Sequence, residues 1–102
     1  DFTTGTTVLP AGMQIGPAQI ALAIAAGHRH LPVRRLPRVT VIDSGDELAS
    51  DCEDCAPHQI PASNGAMLAA LARGVPCTIE QPGPVADNIE AIAAVLHAAN
   101  DA

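Results

Sequence analysis

Residues Arg38 to Leu48 leave this chain little choice of fold. Val39, Val41 and Ile42 are β-branched and apolar, as a strand covered on both faces requires. The run breaks at Asp43-Ser44-Gly45, where glycine permits a turn that a side chain would forbid. Asp46 and Glu47 follow at once. In open α/β sheets, ligands bind just past the carboxyl ends of parallel strands. Two carboxylates and a hydroxyl therefore stand where such a site is expected.

The elements on either side agree with that reading. Residues 1–16 are rich in Thr, Gly and Pro and read as extended or looped. Pro17 suits the first turn of a helix, and Ile20, Leu22 and Ile24 continue it up to Gly27. His28 to Pro37 is a connector, so residues 1–37 form a linker region and 38–102 a second region. The first strand is predicted over Arg38–Asp43, followed by an acidic surface loop over Ala49–Ala62. A helix capped by Ser63 or Asn64 presents Met67, Leu68 and Leu71 to the core and stops at Gly74. A second strand follows at Pro76–Glu80, broken by Gln81-Pro82-Gly83-Pro84. Asp87, with Glu90 three residues on, starts a last helix buried through Ile89, Ile92, Val95 and Leu96. The order β–α–β–α implies parallel strands and crossover connections.

Composition narrows the function classes. The formal charge is −6, which argues against a nucleic-acid surface. No apolar run approaches the roughly 20 residues that span a membrane, and no segment reads as a signal peptide. Three cysteines do not suit a disulfide framework, so free thiols in a cytoplasmic protein are expected. Four of the five arginines lie between Arg29 and Arg38, and six acids lie between Asp43 and Asp54. Solvated loops that attract weakly are the simplest account of those neighbouring blocks. Phe2 is the one aromatic, so the core must be thin and aliphatic.

Several residues could carry chemistry. Asp46 and Glu47 offer the oxygen ligands that a hydrated Mg²⁺ favours, or simply form a solvated turn. Ser63-Asn64-Gly65 at a helix start could receive a phosphate through backbone N–H groups, or merely cap the helix. Asp87 is an N-cap on its residues alone. Cys52-Glu53-Asp54-Cys55 with His58 has a CxxC spacing, but zinc would need a fourth ligand, so incidental thiols are the simpler reading. Cys77 reads as a small buried core residue.

The acid-rich turn resembles the S-T-G-D-E-L motif of the molybdopterin molybdenumtransferases, the family of bacterial MoeA and the gephyrin E domain. Here it stands as Asp43-Ser44-Gly45-Asp46-Glu47-Leu48. Upstream, Leu9-Pro10-Ala11-Gly12-Met13-Gln14-Ile15-Gly16-Pro17-Ala18-Gln19-Ile20 is similar to the family's L-P-A-G-T-x-L-x-P-A-E-I. Downstream, Gln59-Ile60-Pro61-Ala62-Ser63-Asn64-Gly65-Ala66-Met67-Leu68 is similar to Q-I-x-D-S-N-G-x-M-L. Asp87-Asn88 stands for the family's D-D-P. Asp43 replaces a Ser, Ser44 a Thr and Ala62 an Asp.

The resemblance covers nearly the whole chain but only a middle segment of the family's protein. Beginning on Asp1 rather than Met, the chain reads as an excised piece. It implies a truncated three-layer αβα, MogA-like molybdopterin-binding domain that lacks the family's glycine-rich G-G-V-S-V-G turn. The implied reaction inserts molybdate into adenylylated molybdopterin, with Mg²⁺ and release of AMP, in a homodimer. Asp46, Glu47 and Asp87 are then the implied catalytic residues, with Asp46 and Glu47 on the metal. Ser44, Gly45, Ser63 and Asn64 are the implied substrate-binding residues. The isolated chain is expected to be inactive. A non-catalytic molybdopterin-binding, nucleotide-binding or scaffold module is the alternative, favoured by Ala62 and the missing glycine-rich turn.

Overall fold

Pro17 opens the first helix, α1 (Pro17–Ala25), because its missing N–H is one that a helix start leaves unpaired. The Gln19 side chain accepts a hydrogen bond from the Gly16 backbone N–H at 3.1 Å and closes that end. At the other end Gly27 has φ +90°, a left-handed conformation that a side chain would oppose. Its N–H donates to Ile24 and that of His28 to Ala23, the paired bonds of a Schellman cap. The computed structural model describes residues 2–101, which divide into two compact units between Arg34 and Arg35. In the first unit Ala23 is the buried apolar residue.

The second unit is built from short parallel strands. β1 (Arg38–Thr40) and β2 (Asp43–Ser44) lie almost end to end. β3 (Leu48–Ala49) and β4 (Ile60–Pro61) flank the acidic loop, and α2 (Ser63–Ala72) follows. β5 (Thr78–Glu80), β6 (Pro84–Val85) and α3 (Ile89–Asp101) complete it. β1 pairs with β5, β2 with β6 and β3 with β4, all parallel. The α/β class with parallel strands is thus as the sequence implies.

The details differ from expectation in instructive ways. The strand predicted over Arg38–Asp43 is interrupted at Val41-Ile42. Its partner carries three residues, Gln81-Pro82-Gly83, across that gap, so two residues face three and the ladder bulges. Pairing continues on both sides: the Val41 N–H donates to Glu80 at 2.9 Å, and the Gly45 N–H to Val85 at 3.2 Å. The Gln-Pro-Gly-Pro segment interrupts the second strand rather than ending it. The second strand also starts later than predicted, at Thr78, and Cys77 is half-buried, not buried. The acidic excursion is pinned at its base, where β3 and β4 pair through the Ile60 N–H on Glu47 and the Ala62 N–H on Ala49.

Neither helix of this unit buries the stripe its sequence displays. In α2 the buried residues are Gly65 and Ala69, while Met67, Leu68 and Leu71 are exposed. In α3 no residue is buried; Ile89 is 87% exposed and Leu96 is exposed, while Ile92 and Val95 are half-buried. Val41, Ala49 and Ala69 are the buried apolar residues of the unit. Arg38 secures the two strands to α3: its guanidinium donates to the Ala99 carbonyl and lies 3.9 Å from Glu80 Oε1. A cation at the last carbonyls of a helix complements the helix dipole.

This arrangement predicts self-association of residues 1–102. Apolar surface leaves water with a gain of roughly 25 cal/mol per Å², and the Leu71 and Ile89 side chains remain in water. The two-stranded sheets also keep unpaired backbone edges, which recruit other chains. Sedimentation across a concentration range is expected to show a dimer or larger species. A monomer that persists at the highest concentration would contradict this.

Candidate functional site

The acid-rich turn is a β-turn closed by the Leu48 N–H donating to the Gly45 carbonyl at 3.2 Å. Asp46 and Glu47 are its two central residues, so both side chains project from the strand end and both are exposed. Gly45 is buried beneath them. The Glu47 carboxylate folds back over it: a Cβ at residue 45 would stand 2.7 Å from Glu47 Oε2. Ser44 is exposed on the last residue of β2.

β6 runs parallel beside β2, so the segment after β6 leaves from the same edge. There Asp46 Oδ1 accepts a hydrogen bond from the Asp87 backbone N–H at 3.1 Å. The bond links two turns 41 residues apart in sequence. Asp87 itself does not cap α3. That role belongs to Asn88, whose Oδ1 accepts from the Ala91 N–H at 2.8 Å. Asn is as good an N-cap as Asp, and the third residue after Asn88 is the one whose N–H needs a partner. The cap therefore sits one residue later than expected, the capping box from Asp87 to Glu90 does not form because the matching position is Ala91, and the exposed Asp87 carboxylate stays outside the helix.

The start of α2 reaches the same place. Ser63 and Asn64 are exposed in its first turn, and neither caps it; Ala62 is the N-cap and no side chain bonds there. Gly65, in that same turn, lies against Asp43. A Cβ on residue 65 would run into Asp43 Oδ2 and stand 2.8 Å from its Cγ. The turn after β2, the turn after β6 and the start of α2 thus meet at one edge of the parallel strands. Gly65 was expected only as part of the phosphate-receiving Ser63-Asn64-Gly65 helix start, and Asp43 only as the carboxylate that replaces the family's Ser; the contact between the two was not expected. A glycine in the first turn of a helix, where alanine is the better helix former, is the sequence signal that could have pointed there.

The cysteine cluster has no part in this edge. Cys52 is exposed, and the Cys55 Sγ–H donates to the Asp51 carbonyl at 3.5 Å. Among the described residues no three His, Cys, Asp or Glu side chains are placed to hold a metal ion. Mg²⁺ does not need such a set. It keeps several waters and takes one or two carboxylates together with substrate oxygens. Asp46, whose Oδ1 accepts from the Asp87 N–H, and Glu47 are both exposed carboxylates and fit that demand. Among the described residues no helix is long and apolar enough to cross a membrane.

The curated relatives and the solved structures that resemble this chain point the same way. No family model matches the chain. It is 40% identical over 96 residues to molybdopterin molybdenumtransferase 2 of Mycobacterium tuberculosis, covering 94% of this chain and 24% of that protein. It is 39% identical over 72 residues to the molybdopterin molybdenumtransferase of a Nostoc species, covering 71% of this chain and 16% of that one. A crystal structure of the molybdopterin biosynthesis MoeA protein of Pyrococcus horikoshii superposes with a TM-score of 0.74 at 26% identity, covering 95% of this chain and 26% of that one. A second structure, also of a molybdopterin biosynthesis MoeA protein of Pyrococcus horikoshii, superposes at 0.70 and 29% identity, covering 88% of this chain and 23% of that one. The chain spans about a quarter or less of the length of these relatives. By sequence and by fold, the chain is similar to one segment of the molybdopterin molybdenumtransferases.

Proposed function

We propose that this segment supplies part of the active site of a molybdopterin molybdenumtransferase, which inserts molybdate into adenylylated molybdopterin and releases AMP in molybdenum cofactor biosynthesis. The observation that carries this reading is the convergence of three sequence-distant segments on one strand edge. Asp43 touches Gly65, and Asp46 holds the backbone of Asp87. Ligand sites of parallel α/β sheets lie at such edges.

Each residue has a role in that scheme. Ser44, Gly45, Ser63 and Asn64 line the approach for the pterin phosphate, offering two hydroxyls, an amide and backbone donors. Asp46 and Glu47 hold Mg²⁺ and face the incoming molybdate, and Asp87 lies on the far side of Asp46. Bound there, Mg²⁺ would screen the phosphate charge that these carboxylates otherwise repel. Asp46 also has a positioning role, because its bond to the Asp87 N–H sets the distance between the two turns. The parent acts as a homodimer in the cytoplasm, where Cys52 and its fellow thiols stay reduced.

The experiment is an assay of the complete native polypeptide with adenylylated molybdopterin, molybdate and Mg²⁺. AMP release that depends on molybdate is the expected result. Ala62 favours a second reading, a non-catalytic molybdopterin- or nucleotide-binding or scaffold module, since it stands where the family's motif carries an acid. Tight molybdopterin binding without AMP release would select that reading instead.

A further inference from the structure

The arginine-rich connector has no part in the scheme above. From His30 to Leu36 the chain forms neither helix, strand nor turn. Among the described residues no backbone N–H or carbonyl of that stretch is hydrogen-bonded. Pro32 and Pro37 explain this. Each lacks an N–H, and each disfavours the helical conformation for the leucine before it, Leu31 or Leu36. The stretch is therefore preset to an extended form. Arg34 and Arg35 are exposed within it, and neither forms an ion pair among the described residues. Their neighbours Val33 and Leu36 are exposed as well. The division between the two compact units falls at the same dipeptide. No other two Lys or Arg residues are adjacent in the sequence.

We propose that Arg34-Arg35 is a processing site for an endopeptidase that recognises paired basic residues and cleaves the Arg35–Leu36 bond. An extended segment is recognised through its free backbone groups, with side chains seated in separate pockets. Pro32 to Leu36 can enter such a groove without the loss of any native hydrogen bond. Arg34 and Arg35 suit acidic pockets, where a guanidinium meets carboxylates in charge-assisted pairs. Water adds across the bond, leaving a carboxylate on Arg35 and an ammonium on Leu36. The other arginines are protected by their surroundings. The bond after Arg29 follows the cap of α1, where the Gly27 and His28 N–H groups are both bonded. Arg38 is half-buried in β1, paired with Thr78. Arg73 ends α2, and its N–H donates to Ala69 at 3.2 Å. Each of these must lose native hydrogen bonds before a groove can take it, and local opening of that kind limits proteolysis.

The test is brief digestion of the complete native polypeptide, with new termini inside residues 1–102 read by mass spectrometry. Trypsin, which accepts any arginine, is expected to cut after Arg34 or Arg35 at least about tenfold faster than after Arg29, Arg38 or Arg73, the margin set by one or two lost hydrogen bonds. Faster cutting after any of those three would overturn the inference. A peptidase specific for paired basic residues is expected to make one cut in these residues, before Leu36. Arg34→Gln is expected to slow that cut at least about tenfold, by loss of one charge-assisted contact, while trypsin still cuts before Leu36. The melting temperature of this variant should be unchanged, as for an exposed side chain, so that the slower cut reports recognition rather than folding. Equal rates for the native protein and Arg34→Gln would overturn recognition of the pair. Resistance of the folded protein to the paired-base peptidase, with cleavage of the urea-unfolded chain, would overturn the site itself.

Discussion

Glu47→Ala in the complete polypeptide is expected to lower molybdate-dependent AMP release by at least about 100-fold, the scale of losing one electrostatic group at a reacting centre. The same change should leave the melting temperature nearly unchanged. Glu47 is exposed, at the tip of a β-turn, and its carboxylate contacts the buried Gly45 rather than an apolar core. Substitutions at such positions fall within about 0.5 kcal/mol. The backbone carbonyl of Glu47, which accepts the Ile60 N–H at 2.7 Å, is retained in the variant. Glu47→Gln keeps the length and loses the charge, so an equal loss of turnover would assign the effect to charge. Glu53, exposed in the acidic loop, is the matched control, and Glu53→Ala should retain activity. Near-native turnover by Glu47→Ala would refute the role given to this turn.

Ala69→Asp should do the reverse and remove the fold. Ala69 is 1% exposed, the most deeply buried of the apolar residues in the strand-bearing unit. No cation is paired with it there, and an uncompensated buried charge costs roughly 3–5 kcal/mol. Whole domains are stable by only about 5–15 kcal/mol, and a unit whose buried apolar residues are a valine and two alanines has little reserve. A fall in melting temperature of more than about 10 °C is expected. The neighbouring Ala70 is exposed. Ala70→Asp should cost no more than about 1 kcal/mol, mostly helix propensity. Similar melting temperatures for the two variants would show that α2 does not pack through Ala69.

The same two positions show how far the sequence could be read. The strand at Arg38, the helix at Ser63 and the helix near Asp87 were legible, because β-branched runs, glycine stops and helical spacing are local signals. The choice of Met67, Leu68 and Leu71 as the buried face was not. Alternating Ala and Leu in α2 leaves several faces apolar, and the strand pairs select the one bearing Gly65 and Ala69. The cap expected at Asp87 failed for a similar reason. Asp87 and Asn88 are both good caps, and the bond from Asp46 to the Asp87 backbone decides between them.

At the candidate site the division is sharper. The sequence by itself determined the chemistry available: the hydroxyl, carboxylates and amide of Ser44, Asp46, Glu47, Asn64 and Asp87, and glycine at the turn. These follow from residue identity and local spacing. Only the tertiary structure decided that they share one edge. Parallel pairing of β2 with β6 sends two turns out on the same side, and the return of β4 beside β3 delivers α2 to them. Asp43 is the clearest case. Its identity shows an added carboxylate where the resembling motif has a Ser, but its seat comes from Gly65, 22 residues later, whose missing side chain leaves the space the carboxylate fills. Proximity across such a separation is set by backbone hydrogen bonds and packing between elements, which no local pattern of residues encodes.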